Sequence, residues 1–332
     1  MFIQKTFLII SILFLSTHIT STLPQNDVAI IPIPFVHYEH LFTPNVELQK
    51  NDNGFHVLRL QHILNRLGYE LPITGVYDET TTWAITDFQL QQDDLHATGI
   101  YNPETKVILD KYIKKNEEVI PGLGLPYSKE VSATNEDKNT LLNPYDQLAL
   151  INKDFPLAAD YVPNDLVTPN VRFPFTEDLS RKQMRQVAAE ALEKLFAAAD
   201  KEGLELFALS GYRSFERQDQ IFTANATIHG EKNANQFSAK AGESEHQSGL
   251  TMDVTSPAVH FRLVTEFGET KEGKWLAENA ADFGYIIRFP KGKEHITQYQ
   301  YEPWHLRFVG EKAAKEMTEN NLTLEEYLLV GE

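Results

Sequence analysis

Four short polar clusters in the C-terminal half of the chain could do chemistry together. They are Ser210-Gly211-Tyr212-Arg213-Ser214, Gln218 just beyond it, the run from Ser244 to Asp253, and the run from Tyr301 to His305. The chain has no cysteine. Thiol catalysis, disulfide staples and thiolate metal ligands are therefore excluded. A catalytic metal would be held by histidines and carboxylates, typically three protein ligands with one position left open. His246 and Asp253 lie seven residues apart, with Gly249 between them to permit a turn. His305 could supply a third ligand. Taken singly, each of the eleven histidines reads as a surface or satisfied core residue, Asp253 as a turn cap, and Glu302 with Arg213 as a structural salt bridge. Only the combination argues for a site.

Glu302 stands three residues before His305. Pro303 disfavours helix at Glu302, so the segment reads as a bend entering a strand. Such a bend could hold the Glu302 carboxylate beside a metal without making it a ligand, in reach of a water that the metal has acidified. Arg213 offers a planar fork that suits a carboxylate.

Strands must position these groups. Alternation puts Thr251, Asp253 and Thr255 on one face and Leu250, Met252 and Val254 on the core side. It likewise turns Trp304, Leu306 and Phe308 inward and leaves His305 and Arg307 opposite. Leu204–Leu209 reads as a further buried strand leading into the first polar cluster. Residues 181–202 read as an amphipathic helix ended by Gly203, with Val187, Ala191, Leu195 and Phe196 on its apolar side, and a second helix is expected from Phe215 to about Ala224. Helices packed on one side of a small, mainly antiparallel sheet make an α+β fold.

The N-terminal half is organised differently. Residues 1–21 read as a secretory signal: Lys5 is the positive end, Phe7 to Leu15 the apolar centre, and Ser21 a cleavage position. The apolar run is too short for a span, which takes about 20 residues. Residues 22–53 read as an extended, proline-dotted lead-in. In residues 54–113, Val57, Leu60, Leu64 and Leu67 recur at helical spacing. Two related turns follow, Thr74 to Thr80 and Thr98 to Thr105, in which Asp78 and Asn102 are placed as helix caps and Pro103 suits a first helical position. The helices they open carry Ala84, Ile85 and Phe88, then Val107, Ile108 and Tyr112. This is a small three-helix unit with an internal repeat. Residues 114–140 read as a linker, and the larger domain, 141–332, follows.

The chain has 332 residues, 42% hydrophobic and 23% charged, and a formal net charge of −17. That composition is globular. The charge argues against a nucleic-acid binder, which needs clustered Lys and Arg, and against non-specific attraction to an anionic membrane or wall.

Two resemblances complete the reading. Residues Leu58 to Leu109, through the LQ..L...GY opening, GVYDETT, the AI.DFQ helix and TGIYNPET, resemble the peptidoglycan-binding domain of wall hydrolases. Residues 141–320 resemble the D-alanyl-D-alanine carboxypeptidase family of zinc peptidases, which shares its metal-site architecture with lysostaphin-type endopeptidases and the hedgehog domain. The matching residues are Ser244, His246, Gly249 and Asp253, then Glu302, Trp304 and His305, with the SGYRS segment and the opening LALINKDFPLAADYVPNDLV. The departures are Thr251, where the family pattern has Ala, and Ala241, where many relatives have Pro. The resemblance implies zinc held by His246, Asp253 and His305, Glu302 as catalytic base and proton donor, and Arg213 as a catalytic and substrate-binding group. Gln218 and Ser244 would be further substrate contacts. It implies peptidoglycan as substrate and anchor for a secreted, wall-associated enzyme with no stable membrane span. D,D- and L,D-specific carboxypeptidases share these motifs, and an endopeptidase or a non-catalytic wall-binding module stands as the alternative. Intact Glu302 argues against the last.

Overall fold

The computed structural model describes residues 42–127 and 140–329. The expected signal segment, most of the expected lead-in and the centre of the expected linker fall outside the described residues. Among the described residues, no helix is long and apolar enough to cross a membrane.

Helices α1 (Phe55–Arg66), α2 (Glu79–Leu90) and α3 (Pro103–Lys115) close around a core that includes Val57, Leu60, Leu64, Ile85, Phe88 and Leu109. The Asp78 and Asn102 side chains accept from the N–H groups of Thr81 and Thr105, both at 2.9 Å, and Pro103 opens α3. Two glutamines repeat a second device. Gln61 accepts from Gly75 N–H and donates to the Val76 carbonyl. Gln89 accepts from the N–H groups of Thr98 and Gly99 and donates to the Ile100 carbonyl. The internal repeat is thus a repeated, buried turn-and-glutamine stitch. One expected face differs. Val107 is exposed, because the turn of α3 that meets the core is set by Thr105 and Leu109.

This unit extends at both ends. Leu48 bridges to Tyr101 and Asn53 to Val76, so residues read as the end of a lead-in form its edge. After α3, Val119 N–H donates to the Leu67 carbonyl. The buried Asp87 carboxylate then accepts from the N–H groups of Gly122, Gly124 and Leu125 at 2.7–3.1 Å. Gly124 is required by the close approach, since a Cβ there would come 2.7 Å from the Asp87 carbonyl oxygen.

The C-terminal part is built on four antiparallel strands in the order β3–β4–β6–β5. They are β3 (Phe207–Ser210), β4 (Thr251–Thr255), β5 (Tyr285–Phe289) and β6 (Glu302–Phe308). A two-stranded ribbon, β1 (Leu166–Val167) with β2 (Met184–Arg185), precedes α4 (Gln186–Lys201). Leu192, Leu195 and Phe196 of α4 meet Met252, Val254 and Leu306 of the sheet. Each such side chain, fully buried, contributes about 1.5–3 kcal/mol. The inward faces of β4 and β6 are those expected from alternation, and their opposite faces are buried as well.

Helix α4 starts at Gln186 rather than at 181. Arg185 is extended and its N–H donates to the Gly249 carbonyl. Its guanidinium reaches Asp165 and the carbonyls of Tyr145 and Ala97. Helix α5 (Phe215–His229) runs a turn further than expected, to Gly230. The remaining helices are α6 (Glu231–Ala234), α7 (Lys271–Asn279), α8 (Glu294–Thr297), α9 (Glu311–Glu319) and α10 (Leu324–Leu329).

The described residues belong to one compact unit, and the three-helix part is seated against the rest. Lys50 pairs with Asp146 at 2.7 Å and Lys312 with Asp52 at 2.5 Å. Gln49 and Asn51 donate to the hydroxyl and carbonyl of Tyr327 on α10. Gln147 N–H donates to the Thr98 carbonyl.

Candidate metal centre and active site

His246 lies on a short helical turn, Glu245–Ser248, which ends at Gly249 with φ +71°. Only glycine fits there, because a Cβ would meet Arg185 Cγ at 2.9 Å as well as occupy the left-handed region. The turn feeds directly into β4 and Asp253. Asp253 is the direct cross-strand partner of His305 on β6, so the pairing register alone brings a carboxylate against an imidazole.

The Nδ1 atom of His246 is 2.8 Å from the Gly211 carbonyl oxygen, which leaves Nε2 facing Asp253 Oδ2 at 3.4 Å. His305 presents its Nδ1 atom, 3.3 Å from Asp253 Oδ1 and 3.6 Å from Glu302 Oε2. One ligand atom from each of His246, Asp253 and His305 lies within 4.8 Å of the others, and all three residues are buried.

The electrostatics ask for a cation at this point. Burial, with Arg213 alongside, pushes His246 down to about 3 and so keeps it neutral. Burial also opposes charge on His305, but the Asp253 and Glu245 carboxylates outweigh it and lift the ring to about 9. A proton on His305 is then the positive charge nearest to Asp253 and Glu302. Asp253 Oδ1 is buried and has no hydrogen-bond partner. Two imidazoles and a carboxylate with an unused oxygen fit a borderline-soft divalent ion such as zinc.

Glu302 opens β6. Its carboxyl is raised to about 7, chiefly by burial, with Asp253 adding to the rise and His305 and Arg213 opposing it. A group three residues before His305 on a regular strand would point away from it. The β5–β6 register shifts between Ile287 and Phe289, where Phe289 pairs with Glu302, and this irregularity returns Glu302 to the side of His305.

Arg213 follows β3 and lines the same cleft. It donates from Nη1 to Gln218 Oε1 at 2.8 Å and from Nη2 to Ser210 Oγ at 3.1 Å. Gln218 is itself held by the Ala239 carbonyl. Arg213, Gln218, Ser244, His246, Asp253, Glu302 and His305 all line one cavity of about 300 Å³. Every site residue expected from the sequence is therefore in a single place.

Sequence reasoning missed Glu245, Arg288 and Arg307. Glu245 Oε1 accepts from Arg288 Nε and Arg307 Nη1, both at 2.7 Å. Arg288 forms a second, bidentate pair with Glu325 of α10. The signal available was Arg307, already on the polar face beside His305. Nothing local paired it with Glu245, 62 residues away.

Residues 181–311 match the D-alanyl-D-alanine carboxypeptidase (VanY) family profile, and residues 54–109 match that of a putative peptidoglycan binding domain. The chain is 52% identical over 188 residues to the putative carboxypeptidase YodJ of Bacillus subtilis, covering 57% of this chain and 69% of that one. It is 30% identical over 230 residues to a D-alanyl-D-alanine carboxypeptidase of Enterococcus faecium, covering 68% of this chain and 70% of that one. Among solved structures, the LdcB LD-carboxypeptidase is similar, with 50% identity and a TM-score of 0.58, covering 59% of this chain and 92% of that one.

Proposed function

The chain belongs to the D-alanyl-D-alanine carboxypeptidase family, and we propose that its cleft releases the terminal D-alanine of peptidoglycan stem peptides with zinc held by His246, Asp253 and His305. The observation that carries the site assignment is the convergence of these three ligand atoms within 4.8 Å, with Glu302 beside them and Arg213 on the same cavity. When bound, the ion supplies Lewis-acid polarisation of the scissile carbonyl and lowers the pKa of water to about 7. Glu302 takes the proton from the attacking water. The oxygen bonds to the carbonyl carbon, the C–N bond breaks, and Glu302 returns the proton to the leaving amine. Arg213, fixed by Gln218 and Ser210, turns the rest of its fork toward the substrate's terminal carboxylate. Ser244 and Gln218 line the path to it.

Between the two bond types we favour the L,D bond, because LdcB is named an LD-carboxypeptidase and is 50% identical, against 30% for the Enterococcus faecium D-alanyl-D-alanine carboxypeptidase. The division of labour follows the chain: residues 54–113 bind wall polymer and residues 141–332 cut. Residues 1–21 direct export, and the mature protein acts at the cell wall.

Mass spectrometry of synthetic tetra- and pentapeptide stems incubated with the zinc-loaded protein tests the reaction. Loss of one D-alanine from the tetrapeptide is expected. Loss from the pentapeptide alone would make the enzyme D,D-specific, and cleavage inside the stem would make it an endopeptidase. Metal analysis tests the ligands: His246→Ala and His305→Ala should each abolish zinc binding and activity, and full zinc occupancy in either would overturn the assignment.

A further inference from the structure

The imidazole of His305 turns Nδ1 into the cleft, 3.3 Å from Asp253 Oδ1. A ring that ligates through Nδ1 carries its proton on Nε2, and that proton needs an acceptor. His305 Nε2 is buried and has no hydrogen-bond partner within bonding geometry. The acceptor group facing it is Glu245 Oε2, at 3.5 Å, which is likewise buried and unpartnered. The other oxygen of the same carboxylate is fully engaged by Arg288 and Arg307, both at 2.7 Å. Those arginines are anchored in turn. Arg288 is clamped by Glu325, and Arg307 Nη2 donates to the carbonyls of Gln147 and Ala149.

A buried carboxylate with one oxygen fixed and the other left over, aimed at an unpartnered ring nitrogen, is not explained by charge balance alone. We propose that Glu245 is a positioning residue, which accepts the Nε2–H of His305 and so sets the tautomer and orientation in which Nδ1 can serve as a ligand. The two arginines hold the carboxylate against rotation and offset its burial. Glu245 borders the same cavity, and its role is to act through His305 rather than on the reacting atoms. The inference rests on the assignment of His305 as a ligand.

The Glu245→Gln variant tests it. An amide keeps one acceptor oxygen for the two arginines but presents an N–H to Nε2, donor against donor. The expected result is a zinc affinity weaker by about 10- to 100-fold, the usual scale for a lost outer partner of a metal-ligating histidine. Long-range nitrogen–proton NMR spectra of the zinc-loaded protein should show His305 protonated on Nε2 in the wild type and lose that signature in the variant. Glu245→Asp, which restores an acceptor, should recover part of the affinity. Far-UV circular dichroism of the metal-free variants checks that the fold persists. If Glu245→Gln proves unfolded, the tautomer read from the wild-type protein alone decides: a proton on Nδ1 overturns the proposal. Unchanged zinc affinity in a folded Glu245→Gln protein overturns it too, while His246→Ala still losing zinc would leave the ligand assignment standing. If His246→Ala also retained zinc, it is the ligand assignment that would have failed.

Discussion

At the scale of single residues, the proposed roles of ligation and proton transfer fall on groups a few ångströms apart. Glu302 lines the cleft and lies 3.6 Å from His305 Nδ1. Glu302→Gln keeps size and shape but cannot accept a proton. Zinc content is expected to stay near normal, while turnover of stem peptides falls by at least ~10²-fold, the scale of a lost general base. Loss of zinc on this substitution would make Glu302 a ligand, and retained turnover would require a different base. Arg213 makes a separable contribution. Arg213→Lys keeps the charge but loses the fork that binds Gln218, Ser210 and a planar carboxylate together. A fall in kcat/KM of about 10- to 100-fold is expected, the worth of a charged hydrogen bond. The fall should be much smaller on a stem whose C-terminus is amidated. Equal losses on both peptides would mean that Arg213 does not read the free carboxylate.

At the scale of elements, what could be read from the sequence was what repeats locally. Alternation along β4 and β6 placed Asp253 and His305 on one face because a strand has a period of two, and the antiparallel register then made them neighbours. The caps at Asp78 and Asn102 were legible because a cap bonds only a few residues on. The start of α4 was not legible, since Met184 fits the apolar side of a helix and is pulled out of it, with Arg185, by β1 and by the Gly249 carbonyl. Nor was Glu245, whose charge is balanced by arginines 43 and 62 residues away. The Asp87 tether is a further long-range contact of this kind, and it yields a prediction. One carboxylate holds Tyr69, Gln91 and three backbone N–H groups of the segment 122–125. Asp87→Asn puts an amide donor among those donors. It should destabilise the protein by about 2–4 kcal/mol, mainly by releasing that segment. Urea denaturation measures the loss, and a change within about 0.5 kcal/mol would show that the segment is held by something else.

At the scale of the whole molecule, the question is whether the three-helix part swings on a tether or works as a fixed arm. The contacts argue for a fixed arm. Lys50 is nearly buried between Asp146 and Glu79. Burial opposes its charge, yet Asp146 and Glu79 more than compensate and keep it a cation. Asp52 holds Lys312, and Gln49 and Asn51 grip Tyr327. On the far side of that interface α10 carries Glu325, which clamps Arg288. Undocking would take from Asp146 its Lys50 cation, from Arg185 its bond to the Ala97 carbonyl and from Tyr327 the amides of Gln49 and Asn51, each loss costing on the order of 1–3 kcal/mol. The folded chain should therefore melt in one calorimetric transition rather than two. Replacing Lys50 and Asp52 together by Ala should lower that transition and split it, because the buried Asp146 then loses its cation and Lys312 its anion. Hydrolysis of a soluble tetrapeptide should be little changed, since neither residue lines the cleft. Release of D-alanine from insoluble peptidoglycan should drop severalfold, as a wall-bound arm no longer presents the cleft at a fixed distance from its anchor. Two transitions in the unaltered protein would refute the fixed arm. So would a double variant that digests insoluble wall as fast as the parent, since anchoring alone, through any flexible connection, would then be enough to deliver the substrate.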